Sequence, residues 1–200
     1  MTRRVAILLL AAGASRRMGG RDKLLEPVAG GVPLLAERVA AARATGQQVW
    51  VALPPEPRAP ARWRCSTGAH RLEIPHPAEG MGASLAQLVA ALPDSAEGAM
   101  VLPADMPDIT SADMTRVLEA FDPDRVVRGA TARGTPGHPV LFPRSWFGRL
   151  VQITGDTGAR DLLRAAPARL VPLPGENART DLDTPEQWAA WRATPQPGMP

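Results

Sequence analysis

Residues 4–10, Arg-Val-Ala-Ile-Leu-Leu-Leu, form an apolar run of strand length with no polar alternation. Such a run suits a strand covered on both faces, as in a parallel sheet. Further strand-like runs lie at 48–53, 99–105, 125–132, 138–142 and 169–173. Between them the apolar period changes to that of helices. The stretch 33–46 starts with Pro33, suited to a first helical turn, and stops at Gly46. Residues 83–92 place Leu85, Leu88, Val89 and Leu92 on one face. Residues 110–121 offer Thr110 or Ser111 as cap ahead of Met114, Val117, Leu118 and Phe121. Two more helical patterns cover 158–166 and 184–193. The last opens on Thr184, with Pro185 next and Gln187 at the capping-box position. Met81, Met106 and Met114 read as core, and Trp188 and Trp191, three apart, as the face that packs the final helix down.

Alternating strands and helices predict an α/β domain with a mostly parallel sheet. The proline-rich segment 54–62, Pro-Pro-Glu-Pro-Arg-Ala-Pro-Ala-Arg, breaks the rhythm and reads as a surface connection or an irregular helix start. A chain of 200 residues favours one domain, here 1–193, with 194–200 as a frayed tail.

Composition narrows the function. No apolar run approaches the roughly 20 residues of a membrane span. The net charge of +3 is modest, and no dense Lys/Arg tract or set of stacking aromatics marks a nucleic-acid surface. A small anionic substrate accounts for the basicity. Cys65 is the single cysteine, reads as a partly buried small residue, and cannot form an internal disulfide. The opening stretch also has the outline of a signal peptide, but Arg16, Arg17, Arg21 and Lys23 follow the apolar run at once. Positive charge after a cleavage site opposes export, so the stretch reads as strand and loop in a cytoplasmic protein.

The candidate chemistry sits where strands end. The loop after the first strand carries Gly13, Gly19 and Gly20 with Arg16 and Lys23, the only lysine in the chain. Backbone N–H groups and cations in such a loop make a phosphate cradle. Spacing excludes a Walker A loop and a G-x-G-x-x-G fingerprint. Arg17 and Arg21 read as solvated charge. Asp105 follows the run at 99–104, and Asp181 and Asp183 precede the last helix. Carboxylates together with phosphate oxygens are the usual environment of Mg²⁺. The joint reading is transfer chemistry at a nucleoside triphosphate, driven by positioning and charge neutralisation.

Leu-Ala-Ala-Gly-Ala-Ser-Arg-Arg-Met-Gly-Gly-Arg-Asp-Lys at 10–23 resembles the opening motif of the MobA-like NTP transferases. Glu-Gly-Met-Gly-Ala-Ser-Leu (79–85), Leu-Pro-Ala-Asp-Met-Pro (102–107), Gly-His-Pro-Val-Leu-Phe (137–142), Gly-Asp-Thr-Gly-Ala-Arg-Asp-Leu-Leu (155–163) and Asp-Leu-Asp-Thr-Pro-Glu-Gln-Trp (181–188) follow in the order of the molybdenum cofactor cytidylyltransferase branch. The resemblance implies a single Rossmann-like, three-layer nucleotidyltransferase domain. It implies transfer of a nucleoside monophosphate, CMP from CTP rather than GMP from GTP, to the phosphate of molybdopterin, with release of pyrophosphate and with Mg²⁺ as cofactor. By that resemblance Leu10, Ala11, Ala12 and Gly13 contact base and ribose. Arg16 and Lys23 hold the triphosphate. Asp105 binds Mg²⁺ with Asp183 and possible help from Asp181. Gly80 and Ser84 line the pocket, and His138 belongs to the loop facing the acceptor. It also implies a molybdenum hydroxylase or its maturation factor as recipient, and neither nucleic acid nor membrane as partner. Two departures stand. Asp22-Lys23 resembles the guanylyl branch, and Ile-Pro-His-Pro-Ala replaces the Asn-Pro-Asp-Trp expected before Glu79. Guanylyl transfer, another phosphorylated acceptor, and a non-catalytic cofactor escort are the alternatives.

Overall fold

In the computed structural model, described over residues 4–155, 162–163 and 168–194, the first apolar run is strand β1 (Val5–Leu10). Its side chains alternate between two cores. Ile7 and Leu9 join one cluster, and Ala6 and Leu8 the other. Both faces are buried, which explains the absence of polar alternation in the sequence.

Helix α1 (Leu34–Arg43), strand β2 (Gln48–Leu53), helix α2 (Pro60–Cys65) and strand β3 (His70–Glu73) follow. Then come α3 (Met81–Ala90), β4 (Gly98–Pro103), α4 (Ser111–Glu119), β5 (Val127–Ala130), β6 (Pro136–Pro143), α5 (Phe147–Leu150), β7 (Arg169–Pro172) and α6 (Pro185–Ala193). The sheet has seven strands in the order β3-β2-β1-β4-β6-β5-β7. β1, β2, β3 and β4 are parallel, β6 runs antiparallel to β4 and β5, and β7 pairs parallel with β5. Residues of α1, α4 and α6 pack with one face of β1, and residues of α3 and α5 with the other. The result is the expected three-layer α/β domain.

Capping fixed two helix starts. Thr110 opens α4 through a capping box with Asp113, and Thr184 opens α6 through one with Gln187. Trp188 is buried and meets Trp191 edge-on at 5.7 Å. Met106 and Met114 are core, as expected, but Met81 is 49% exposed and lines the cleft described below. β3 left no sequence signal because this edge strand is largely exposed on both faces. The proline-rich connection at 54–62 contains the start of α2, with Pro60 in its first turn. The helix expected at 158–166 and the tail lie outside the described residues, apart from Leu162, Leu163 and Thr194.

The topology also creates the site. β2 and β3 lie to one side of β1 and β4 to the other, so the connections that leave β1 and β4 diverge at their carboxyl ends. Open α/β sheets bind ligands in that crevice. Backbone bonds continue the sheet just past the strands: Ala11 N–H donates to the Ala52 carbonyl at 3.1 Å, and Ala104 N–H to the Leu10 carbonyl at 3.1 Å.

Candidate active site

The loop at 11–23 is anchored rather than loose. Met18 and Leu24 are buried at its two turns, Arg16–Met18 and Lys23–Leu25. Ser15 turns the chain at φ 50°, and it alone among the described non-glycine residues has positive φ. A non-glycine residue holds that conformation only where its surroundings enforce it. Gly19 and Gly20 supply the next two left-handed positions. The carboxylate of Asp22 accepts from the Leu24 N–H at 3.1 Å and from Ser15 Oγ at 3.2 Å, which fixes the second turn.

That second turn aims Lys23 at two carboxylates. Lys23 Nζ donates to Asp105 Oδ2 and to Asp183 Oδ1, the latter at 2.7 Å. Arg17 Nη2 reaches the other oxygen of Asp183 at 2.5 Å. Arg17 is solvated, with its side chain 69% exposed, and it also pairs with Asp183. The Lys23, Asp105 and Asp183 side chains are 14%, 16% and 14% exposed, so the charges meet with little water between them. Burial alone would lower the Lys23 ammonium, but Asp105 and Asp183 overcome it, and the group is held above its ordinary value. Burial pushes Asp183 up, and Lys23 with Arg17 outweighs it, so its carboxyl lies below the ordinary range. Asp181 is shifted up, by burial and then by the like charges of Asp105 and Asp183.

Asp105 is set by the chain that follows β4. Arg38, 3% exposed, donates through Nη1 to the carbonyls of Met106 (3.0 Å) and Ile109, which holds this loop against α1. Leu182 N–H donates to the Asp105 carbonyl at 3.1 Å and brings the segment bearing Asp181 and Asp183 alongside. Asp105 Oδ1 is buried and has no hydrogen-bond partner among the described residues. A buried carboxylate oxygen without a partner is costly, and a cation would satisfy it. Among the described residues no three His, Cys, Asp or Glu side chains converge as a ligand set. Asp105 and Asp183 are joined through the Lys23 ammonium instead.

The network borders a cleft of about 860 Å³. Leu10, Ala12, Gly13, Arg16, Lys23, Gly80, Ser84 and Asp105 all line it. Ala11 does not: it is 1% exposed, and its carbonyl is taken by Arg62 at 2.6 Å. His138 also stands outside the lining. Its backbone N–H bonds the Ala178 carbonyl at 2.7 Å, and its Nδ1 is buried without a partner among the described residues. Burial, and then the nearby Arg128 cation, push this imidazole down to about 4, so it is neutral at pH 7.

Sequence reasoning missed Arg62. It lies in the proline-rich stretch, where no motif or spacing marks it. Yet it is 3% exposed, pairs with Asp22 through Nε (2.6 Å) and Nη2 (2.7 Å), and reaches across to the loop at 11–15. Arg58 and Ala59 from the same segment form a wall of the cleft.

An open cleft at the switch point, lined by glycines and cations and flanked by carboxylates, suits a polyanionic ligand with a metal ion. Comparison with known proteins agrees. The bifunctional protein GlmU of Maricaulis maris (strain MCS10) is 35% identical over 166 residues, 80% of this chain and 34% of GlmU. The chain thus spans about a third of that relative's length. The crystal structure of Rv0371c from Mycobacterium tuberculosis H37Rv superposes with a TM-score of 0.82 at 25% identity, covering 97% of this chain and all of that one. A complex of Rv0371c with manganese gives 0.77 at 24% identity, covering 96% and 100%. A nucleotidyl transferase from Methanothermobacter shares the fold at a TM-score of 0.74 and 20% identity, covering 95% and 96%. The sequence profile of the MobA-like NTP transferase domain matches residues 7–170, most of the chain and nearly all of the sheet. The chain belongs to the MobA-like NTP transferase domain family.

Proposed function

We propose that the protein transfers CMP from CTP to the phosphate of a molybdopterin-type cofactor, releasing pyrophosphate. The observation that carries the transfer chemistry is the junction of Lys23, Asp105 and Asp183 at the edge of the cleft. The acceptor rests on the order of the six sequence motifs. The choice of cytosine rests on Leu-Ala-Ala-Gly at 10–13, where guanylyl enzymes of this family tend to carry Leu-Ala-Gly-Gly. Asp22, which resembles the guanylyl branch, has a local explanation: its carboxylate forms a two-pronged pair with Arg62, which a neutral Asn cannot match in charge. It therefore carries no weight for guanine.

Asp105 and Asp183 would hold Mg²⁺, and the partnerless Oδ1 of Asp105 fits that role. When bound, the ion neutralises charge on the triphosphate. The chain's own groups do the remainder. Arg16 and the loop at 12–14 lie along the cleft wall where the phosphates would run. Lys23, released from its carboxylates, offsets charge at the α-phosphate as the acceptor's phosphate oxygen attacks phosphorus. The new P–O bond forms as the bond to pyrophosphate breaks, and both electrons of that bond leave with pyrophosphate. No side chain is needed as covalent nucleophile.

The test is pyrophosphate release from purified protein with Mg²⁺, molybdenum cofactor and each of the four NTPs in turn. CTP should give the highest rate. No release with any NTP would refute the acceptor, and a preference for GTP would refute the base. Asp105→Ala should abolish turnover; unchanged delivery to a molybdenum hydroxylase by that variant would instead identify an escort.

A further inference from the structure

We propose that Arg62, which no cleft chemistry yet uses, is the positioning residue that presets the loop at 11–15 as a phosphate cradle. The inference rests on the reading of this cleft as a nucleotide site.

Every N–H of the Arg62 guanidinium has a partner. Nε donates to Asp22 Oδ2 at 2.6 Å. Nη1 donates to the carbonyls of Ala11 at 2.6 Å and Gly13 at 2.7 Å. Nη2 donates to Asp22 Oδ1 at 2.7 Å and Ser15 Oγ at 3.1 Å. Five donors in a rigid fork thus meet five acceptors. All five belong to residues 11–22, so one buried side chain from α2 sets the path of the loop.

The consequence follows from peptide geometry. In a trans peptide the C=O of one residue and the N–H of the next point in opposite directions. Capturing the Ala11 and Gly13 carbonyls on the Arg62 side turns the N–H groups of Ala12 and Ala14 the other way. Ala12, Gly13 and Ala14 line the cleft, and among the described residues none of their N–H groups donates a hydrogen bond. Ser15 closes the turn in its left-handed conformation, tied to Arg62 through its hydroxyl. Unpaired N–H groups at Ala12 and Ala14, turned to one side of a fixed loop, can hold an anion there. Arg62 itself borders the cleft, but it is 3% exposed and its cation is neutralised by Asp22. Its contribution is therefore orientation, not charge.

That distinction gives the test, with inorganic tripolyphosphate as probe so that base, acceptor and metal do not enter. In the wild-type protein, NMR should show the amide protons of Ala12 and Ala14 moving downfield as tripolyphosphate is added. Absence of any shift at these amides would overturn the proposal without needing a variant. Calorimetry should show Arg62→Ala/Asp22→Asn, which keeps the net charge, binding tripolyphosphate at least tenfold more weakly. Recovery of wild-type affinity by that double variant, when Arg62→Ala alone is weak, would overturn the proposal, because the loss would then be the unpaired charge of Asp22. Arg62→Lys should fail to restore binding, since an ammonium cannot span both carbonyls and Asp22; full restoration would count against positioning. If no NTP is turned over with molybdenum cofactor while the amides still shift, the acceptor reading fails and the role of Arg62 stands.

Discussion

Replacing Lys23 by Met removes the ammonium and leaves its carboxylates in place. At the 2.7 Å separation of Lys23 Nζ and Asp183 Oδ1, Coulomb's law with an effective dielectric constant near 20 gives about 6 kcal/mol of gross attraction. Desolvation cancels much of that. Stripping one partner from a buried pair costs roughly 3–5 kcal/mol. Arg17 still contacts Asp183, and the carboxylates keep some water, so we expect a loss of about 2–3 kcal/mol in divalent-free buffer. The freed pair should then attract a cation of higher charge. Titration with Mn²⁺ in the absence of nucleotide, followed by electron paramagnetic resonance, should give at least tenfold tighter binding to Lys23→Met than to wild type. At ten times the dissociation constant, bound Mn²⁺ adds about 1.4 kcal/mol, a rise in Tm of about 3–6 °C for a domain of this size. Lys23→Met/Asp105→Asn should lose that gain, and transfer activity should collapse in both variants. If Lys23→Met binds Mn²⁺ no better than wild type, the ammonium does not occupy the metal's place, and the assignment of Asp105 and Asp183 as metal ligands fails with it.

Other perturbations separate fold from site. A Cβ at Gly13 would meet nothing within 4 Å, and its φ is not left-handed, so Gly13→Ala should change Tm by no more than a degree or two but raise the KM for NTP severalfold. Gly137→Ala should do the reverse: its Cβ would lie 1.9 Å from the Ala178 carbonyl oxygen, backbone against backbone, and chemical denaturation should show a loss of about 3 kcal/mol or more. His138 titrates near 4 when folded and at 6.5 when unfolded, so below pH 6.5 the unfolded chain binds the extra proton. Stability from this group is complete above pH 6.5 and is lost as pH falls toward 4, by up to about 3 kcal/mol. The pH dependence of urea unfolding over that window should flatten in His138→Gln.

Much of the architecture was legible because it depends on local patterns. β1, β2 and β4 are apolar runs because both of their faces are covered, and α4 and α6 carry their capping residues at the required spacing. β3 was not legible, because a short edge strand exposed on both faces carries no periodicity. Met81 was misjudged because an apolar residue at a helix start looks the same whether it enters the core or borders a cleft.

The sequence by itself determined the chemical inventory: a glycine-rich loop with one lysine after a buried strand, and aspartates at strand ends. These are short-range facts, since each depends on neighbours a few residues away. Only the tertiary structure decided which groups meet. Lys23 and Asp183 are 160 residues apart in sequence and 2.7 Å apart in space, because β1 and β4 are adjacent and the Asp105 carbonyl holds the segment before α6. Arg62 stands 49 residues from the Gly13 carbonyl it binds, in a segment whose composition suggested a surface connection or an irregular helix start. No periodicity encodes such a contact. It exists because α2 lies beside the crevice that the strand order opens, and a buried guanidinium there requires a partner for every donor.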